Sequence, residues 1–408
     1  MTMKSARTFI ACLIALCVST DGVCAAVTVH LVDGQTANCD AVSLVAGKVA
    51  ATAADGTAVG RWEVDDVARI DFSGPEEAAA DDPKAGPWVM VVGGKLRGAA
   101  QRFDGKAFAV TGTDFGDLSL PVACVEALVL GEATPAQLGA DGAASDVIVL
   151  RNMDRLSGTL NGMDDKTVRF HSDLGDLTLD RERVAAVRIA APPGGRPKHT
   201  SPALKLTLAS GTEVELAGVE ITADGKAAGT LFGGPAVSFA VARVVRIDVV
   251  GGRLAYLETF EPSAYEQYSL DILKWDIKRG LNVLGGPMRL RRGKADEPET
   301  FEHGIGVHGP CRIVYPLNGQ YERFIALVGV DDAAGRWADA NIVVKVDGKE
   351  ALRADHVKWH EPARQVNLSV AGARQMELVV EAADHFDVQD RINWADARLI
   401  RAAAPGGN

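Results

Sequence analysis

Flat aromatic faces and forked polar groups crowd together in the last third of the chain. Trp337 stands in the polar run Gly335-Arg336-Trp337-Ala338-Asp339, shortly after the paired carboxylates Asp331-Asp332. Arg391 and Asn393 close another polar run, and His308 is set between Gly306 and Gly309. An indole face stacks on the C–H face of a sugar ring, while carboxylate, amide and guanidinium groups each bridge neighbouring hydroxyls. Trp337, Asp331, Asp332, His308, Arg391 and Asn393 are therefore candidates for binding a carbohydrate, with Trp337 as the exposed platform. Trp275 and Trp359 add further faces, whereas Trp394 lies in an apolar closing strand and reads as core. His308 has a second reading, in which its ring satisfies buried backbone groups.

The same residues raise the question of metals. Asp331, Asp332 and Asp396 are hard oxygen donors suited to a structural calcium ion. The competing reading has Asp331 capping the turn after Val328–Val330 through its own backbone. His356 and His360 have helical spacing for zinc, but their surroundings read as strand and loop. Residues four apart on a strand lie roughly 13 Å apart, too far for one metal. His303 and His308, five apart, would face opposite sides of a regular strand. No cofactor is expected beyond that possible calcium. Gly-x-Ser-x-Gly, a phosphate loop and Cys-x-x-Cys pairs are absent from the sequence, so no catalytic constellation is expected.

Composition narrows the partners. Lys4 and Arg7 precede the apolar run Phe9–Val18, and Val23-Cys24-Ala25 offers small residues for cleavage, so residues 1–25 read as an export signal. That run is about ten residues, against roughly 20 for a bilayer-spanning helix, and no other apolar stretch approaches that length. A secreted, periplasmic or extracellular protein without a transmembrane segment is expected. The formal net charge is −11, which repels phosphate backbones and anionic lipid and argues against nucleic acid and membrane partners. Cys39, Cys124 and Cys311 remain after the signal, an odd number in three different segments. They read as buried free thiols rather than a disulfide framework.

Stepping along the chain, four segments share one pattern: Val27–Phe72, Trp88–Leu130, Val147–Ile189 and Leu204–Val250. In each, period-two apolar strands are broken by turns and end in a Val/Ile-rich strand. The third is clearest, with Val147 and Val149, Leu156 to Leu160, Val168 and Phe170, then Leu177 and Leu179. Ser73–Pro87, Gly131–Ser145 and Ala191–Pro202 separate them and read as linkers. The expected modules are thus 26–74, 87–131, 146–190 and 203–250, each a small five-stranded barrel. At Gly251-Gly252 the composition changes: all five tyrosines, four of six tryptophans and five of eight histidines follow it. Longer alternating runs at Cys311–Pro316, Arg323–Val330, Ala340–Asp347, Gln365–Val370, Gln375–Glu381 and Ala397–Ile400 predict a β-sandwich over 253–403. The fold class is all-β: four small β-barrel-like repeats, then the sandwich.

The segment 253–403 resembles the NPCBM family of carbohydrate-binding modules. The matching stretches run from Ser269–Trp275 and Asn282–Pro287, through Phe301-Glu302-His303-Gly304-Ile305-Gly306-Val307-His308-Gly309 and Ile313–Leu317, to Val328-Gly329-Val330-Asp331-Asp332, Val346–Lys349 and Asn393-Trp394-Ala395-Asp396-Ala397-Arg398-Leu399. The resemblance implies a galactose-binding-like jelly roll that binds glycans. Two positions depart from the family pattern: Asp390-Arg391-Ile392 precedes Asn393-Trp394, and Gly309-Pro310-Cys311 stands where a Ser is usual. The third repeat also resembles the opening of Sm-like small barrels. The RNA binding of that fold is not expected here, because the charge opposes it.

Two functions follow from this reading. In the first, the chain is a secreted, non-catalytic, multi-module protein that binds a glycan or polysaccharide through its C-terminal sandwich. The alternative is an extracellular or envelope assembly protein whose β modules make protein–protein contacts.

Overall fold

The computed structural model describes residues 26–74, 87–131, 144–199, 201–268, 274–293 and 297–402. The export signal expected over residues 1–25 lies outside them, as do most of the first two linkers and Ser269–Leu273 of the family motif. Strands joined by turns and single-turn 3-10 helices make up the described chain. It divides into two compact units, one holding Thr36–Val250 with the residues up to Leu31, the other holding Gly251 onward with Val32–Gln35.

In the first unit the hairpins follow the chain. Asp146–Leu150 pairs with Arg155–Met163, which pairs with Thr167–Ser172, which pairs with Gly175–Asp180. A 3-10 turn at Arg181–Arg183 then feeds Val184–Arg188 back onto Asp146–Leu150. Alternation sorts the faces: Val168 and Phe170 are buried while Arg169 and His171 are exposed. Gly158 lets the long second strand bend onto its neighbour, since a Cβ there would lie 2.0 Å from the His171 carbonyl oxygen. In the other three segments, too, the last strand returns to pair with the first.

The four segments do not keep separate cores. The last strands of the second and third pair with each other, with Leu128 opposite Val187, and those of the first and fourth do the same, with Ile70 opposite Ile247. Each couple touches again where the third strand of one segment meets the second strand of the other, Phe103 opposite Met163 and Leu44 opposite Ile221. Val214 meets Gly94 where the second and fourth segments adjoin. Any side chain at Gly94 would drive its Cβ to within 2.0 Å of the Glu213 carbonyl oxygen. Buried residues from all four segments form one connected apolar cluster. Closed barrels were expected because each segment reads as self-contained. Pairing instead covers last-strand edges that would otherwise be open and apolar.

Charge ties the same joints. At the joint of first and fourth segments, Asp71 accepts from His30 at 2.9 Å, Arg69 at 3.1 Å and Arg246 at 3.4 Å. Burial pushes the Asp71 carboxyl up, but the His30 hydrogen bond and the two guanidinium groups outweigh it and hold it below the usual carboxylate range. Buried Asp114 of the second segment accepts from Thr212 Oγ1 at 2.9 Å and from Arg243 at 3.0 Å, both in the fourth.

The second unit is a two-sheet antiparallel sandwich. One sheet runs Lys278–Arg279, Gly304–His308, Arg391–Arg401, Tyr321–Val330, Arg364–Ser369, with Leu254–Tyr256 also on the closing strand. The other runs Ala264–Gln267, Cys311–Pro316, Gln375–Ala382, Asp339–Val346, Lys349–Lys358. Trp394, Tyr315, Phe324, Ile342 and Leu378 fill the space between them. Several elements differ from the sequence-based expectation, among them the added strands Leu254–Tyr256, Ala264–Gln267, Lys278–Arg279 and Gly304–His308. The closing strand starts at Arg391, not Ala397, and Lys349–Lys358 is a full strand on the sheet edge. Cys39, Cys124 and Cys311 are buried free thiols.

Candidate functional site

The strand pairs His308–Arg391 and Val330–Ile392 mark one end of the first sheet, and Asp339–Lys358 with Ala340–Ala382 mark one end of the second. The loops leaving those ends meet. Asp339 donates its amide to Asp390 Oδ1 at 3.0 Å, Trp337 donates its amide to Gln389 Oε1 at 3.3 Å, and Arg391 Nη1 donates to the Ala333 carbonyl at 3.1 Å. The loop after Val330 and the loop before Arg391 are therefore bolted together at one end of the sandwich.

Trp337 is the open face of that end, with 45 % of its surface exposed. His385 meets it edge-on at 5.1 Å, and the Arg336 guanidinium sits 4.9 Å from its ring centre. Phe386 and Val388, in the same loop as His385, are exposed as well, Phe386 at 69 %. Three residues of this short loop, His385, Phe386 and Gln389, have positive φ angles. Non-glycine residues held there cost of order 1–3 kcal/mol each, which surrounding contacts must offset.

Three expected sugar contacts are committed elsewhere. Asp331 is 1 % exposed and accepts four hydrogen bonds. Asn282 Nδ2 at 3.2 Å and the Ala333 amide at 3.0 Å donate to Oδ1; the Arg289 amide at 3.2 Å and Asn393 Nδ2 at 2.5 Å donate to Oδ2. The Ala333 bond is the turn cap weighed above. Asp331 and Asn393 are thus corrected from ligand forks to an internal pin between two loops and the closing strand. His308 is also buried; its Nδ1 contacts the Gly309 carbonyl oxygen at 2.7 Å, and its ring stacks on Trp275 at 4.9 Å. That is the second reading of His308. Asp332 is partly exposed and held by Arg291 through Nε at 3.1 Å and Nη2 at 2.9 Å. Its carbonyl accepts from Trp359 Nε1 at 3.0 Å, and His360 stacks on that indole at 3.4 Å. Trp394 is fully buried.

Calcium does not fit at Asp331. A cation there would have to displace four N–H donors that already point at the carboxylate. Asp396 lies within the closing strand and donates its amide to the His303 carbonyl at 2.9 Å, away from these loops. His356 and His360 take different partners, His356 turning to Asp339 and His360 to Trp359. Burial, and then the neighbouring Asp339 and Asp387 carboxylates, push the Asp390 carboxyl up to about 7 against the opposing Asp339 amide bond.

Of the six candidates, Trp337, Asp332 and Arg391 stay accessible around one loop end, while Asp331, Asn393 and His308 build the frame beneath. His385, Phe386 and Gln389 were missed by sequence reasoning. The available signal was an aromatic residue, Phe386, set among Asp384, His385 and Asp387 in a stretch without strand alternation.

The C-terminal unit is thus a two-sheet sandwich that presents a half-exposed indole on tied loops. The family described as NPCBM/NEW2 domain matches residues 258–400, and this segment is an NPCBM domain. A curated Renibacterium salmoninarum protein, named as a candidate endo-alpha-N-acetylgalactosaminidase, is 23 % identical over 237 residues. The match takes in 53 % of this chain, which spans 15 % of that relative's length. Among solved structures, CBM51 from Clostridium perfringens GH95 in complex with methyl-galactose is 26 % identical, covering 36 % of this chain and 99 % of that one at a TM-score of 0.33. The tandem CBM51 modules of Sp3GH98 from Streptococcus pneumoniae SP3-BS71 are 14 % identical, covering 73 % and 88 % at a TM-score of 0.34. At TM-scores this low the superpositions add nothing to the family assignment.

Proposed function

We propose that the chain is a secreted, non-catalytic protein that binds a glycan at the loop end of its NPCBM domain. Trp337 is the stacking platform, Arg391 and Asp332 supply polar contacts beside it, and His385 and Phe386 extend its rim. The observation that carries this reading is the half-exposed indole held on a loop fixed by Gln389 and Asp390. A large apolar ring kept in water on a constrained loop is the feature a sugar face requires. Residues 26–74, 87–131, 146–190 and 203–250 then act as repeat modules that serve as spacers or dock to envelope proteins.

The test uses the full chain on a glycan array that includes N-acetylgalactosamine-terminated glycans, a probe suggested by the name of the Renibacterium relative. Binding should be present in the wild type and largely lost in Trp337→Ala, with no sugar released from the bound glycan. Binding that survives the substitution would overturn the platform. Sugar release would overturn the non-catalytic reading. No binding at all would favour the assembly reading, which has one supporting observation: the Arg336 guanidinium already lies over the Trp337 ring.

A further inference from the structure

We propose that Asp339, His356 and Asp384 form a binding site for a borderline transition-metal cation such as Zn²⁺. One ligand atom from each residue lies within 4.8 Å of the others, so small side-chain movements would bring all three onto one ion. Ion–ligand bonds of about 2.0–2.2 Å set that requirement. A mixed imidazole and carboxylate donor set suits Zn²⁺ better than calcium or magnesium, which take oxygen alone. The three residues come from adjacent strands of one sheet: Asp339 opens Asp339–Val346, His356 is near the end of Lys349–Lys358, and Asp384 follows Gln375–Ala382.

His356 is aimed by a built irregularity. The pairing of its strand with Asp339–Val346 shifts register between Ala340 and Ile342, and His356 has φ +53°. Asn341 Oδ1 accepts the His356 amide at 2.9 Å and holds that geometry. The imidazole Nδ1 reaches the two Asp339 carboxylate oxygens at 3.1 and 3.2 Å. Bulges of this kind re-aim a side chain that regular alternation would turn elsewhere.

An independent observation points the same way. Asp390 is fully buried beside the cluster, with Oδ1 accepting the Asp339 amide and Oδ2 accepting no hydrogen bond. Asp339 pairs with His356 and with Lys358, whose ammonium is 3.4 Å from Oδ2, so among the described residues Asp390 Oδ2 is the oxygen of this carboxyl pair left without a partner. A divalent ion supplies the charge that this arrangement lacks, and the half-exposed lysine can swing into water to admit it. Metal binding would fasten the loop carrying His385 and Phe386 to the sheet edge. The site is argued without reference to sugar binding.

The experiment takes the full chain, stripped with chelator, and titrates Zn²⁺ by calorimetry and Co²⁺ by visible absorption. One equivalent should bind, raise the Tm and give d–d bands of low-coordinate Co²⁺. His356→Ala and Asp384→Asn should each weaken binding at least about tenfold, the loss that removing even a supporting residue brings. Lys358→Ala should tighten it. Asp384 is exposed, so its variant folds even if the histidine variant does not. Absence of a saturable Zn²⁺ site, or unchanged affinity in Asp384→Asn, would overturn the proposal.

Discussion

Replacing Asp331 separates a structural pin from a ligand contact. Each of its carboxylate oxygens accepts from two N–H donors, and the residue is 1 % exposed, so water cannot take over. Asp331→Asn keeps the shape but sets an NH₂ group against two of those donors, and flipping the amide exchanges one clash for the other. Each buried donor left without an acceptor costs about 1–3 kcal/mol. Asn282 Nδ2 retains the Pro287 carbonyl at 3.1 Å, so the loss is smaller there. Allowing for non-additivity, the sandwich should lose roughly 3–5 kcal/mol. Against a total of about 5–15 kcal/mol for a typical domain this is a large share. Urea unfolding followed by near-ultraviolet circular dichroism should show a markedly lower midpoint for the variant, in chelator and in calcium alike. A variant within about 1 kcal/mol of the wild type would refute the pin, because it denies the buried network; so would a calcium-dependent rise in the midpoint of zinc-free wild type that Asp331→Asn abolishes, because that makes Asp331 an ion ligand.

Three further outcomes follow. Trp394→Ala should cost about 3–5 kcal/mol because the ring is fully buried, whereas Trp337→Ala should cost under about 1 kcal/mol while weakening glycan binding by about 1–3 kcal/mol; paired melting and calorimetry curves measure the contrast. The Cys124 thiol is pushed up by burial to about 11 and Cys311 to about 12, so a thiol reagent at neutral pH should leave both unlabelled until denaturant is added. The Asp71 carboxyl has a lowered folded pKa, so its contribution is present above the unfolded value near 4 and fades as pH falls through the folded value; the Tm gap between wild type and Asp71→Asn should be steady at pH 5–7 and narrow below about pH 4.

The fold was legible where one face of a strand meets a core. Cys311–Pro316 reads as an apolar run and is the strand observed, with Cys311, Ile313, Val314 and Tyr315 buried. Lys349–Lys358 was not legible, because it is an edge strand in which only Val357 is fully buried, and charged edges carry no apolar period. The closing strand was shortened to Ala397–Ile400 since Arg391, Asn393 and Asp396 read as loop residues. Their tolerance within a central strand depends on partners such as Asp331 that lie far away in sequence. The exposure of Trp337 was legible for a local reason: a tryptophan among glycine, arginine and aspartate has no neighbours with which to form a core. Whether a carboxylate beside it faces water or a ring of amides is a tertiary fact, which is why Asp331 and Asp332 looked alike and differ.

The coupling of the four N-terminal segments follows from the same physics. Each is about 45 residues long, close to the size below which a chain cannot bury enough apolar surface to be stable alone. Closing each meander on itself would leave its last strand with an open edge. In the last strands of the second and third segments, Val125–Val129 and Val184–Arg188, nearly every residue is buried, on both faces. Such runs are the mark of a strand covered on both sides. Trp88, Ala127, Val129, Val147, Val149 and Ala186 form a separate apolar cluster drawn from these two segments. The first and fourth segments repeat the pairing with a more polar joint, where Asp71, His30, Arg69 and Arg246 replace part of the apolar contact. One joint is therefore held by burial and the other partly by charge. Acid should loosen the second joint before the first, since protonating Asp71 removes the acceptor shared by three cations or donors while the Leu128–Val187 contact has nothing to titrate.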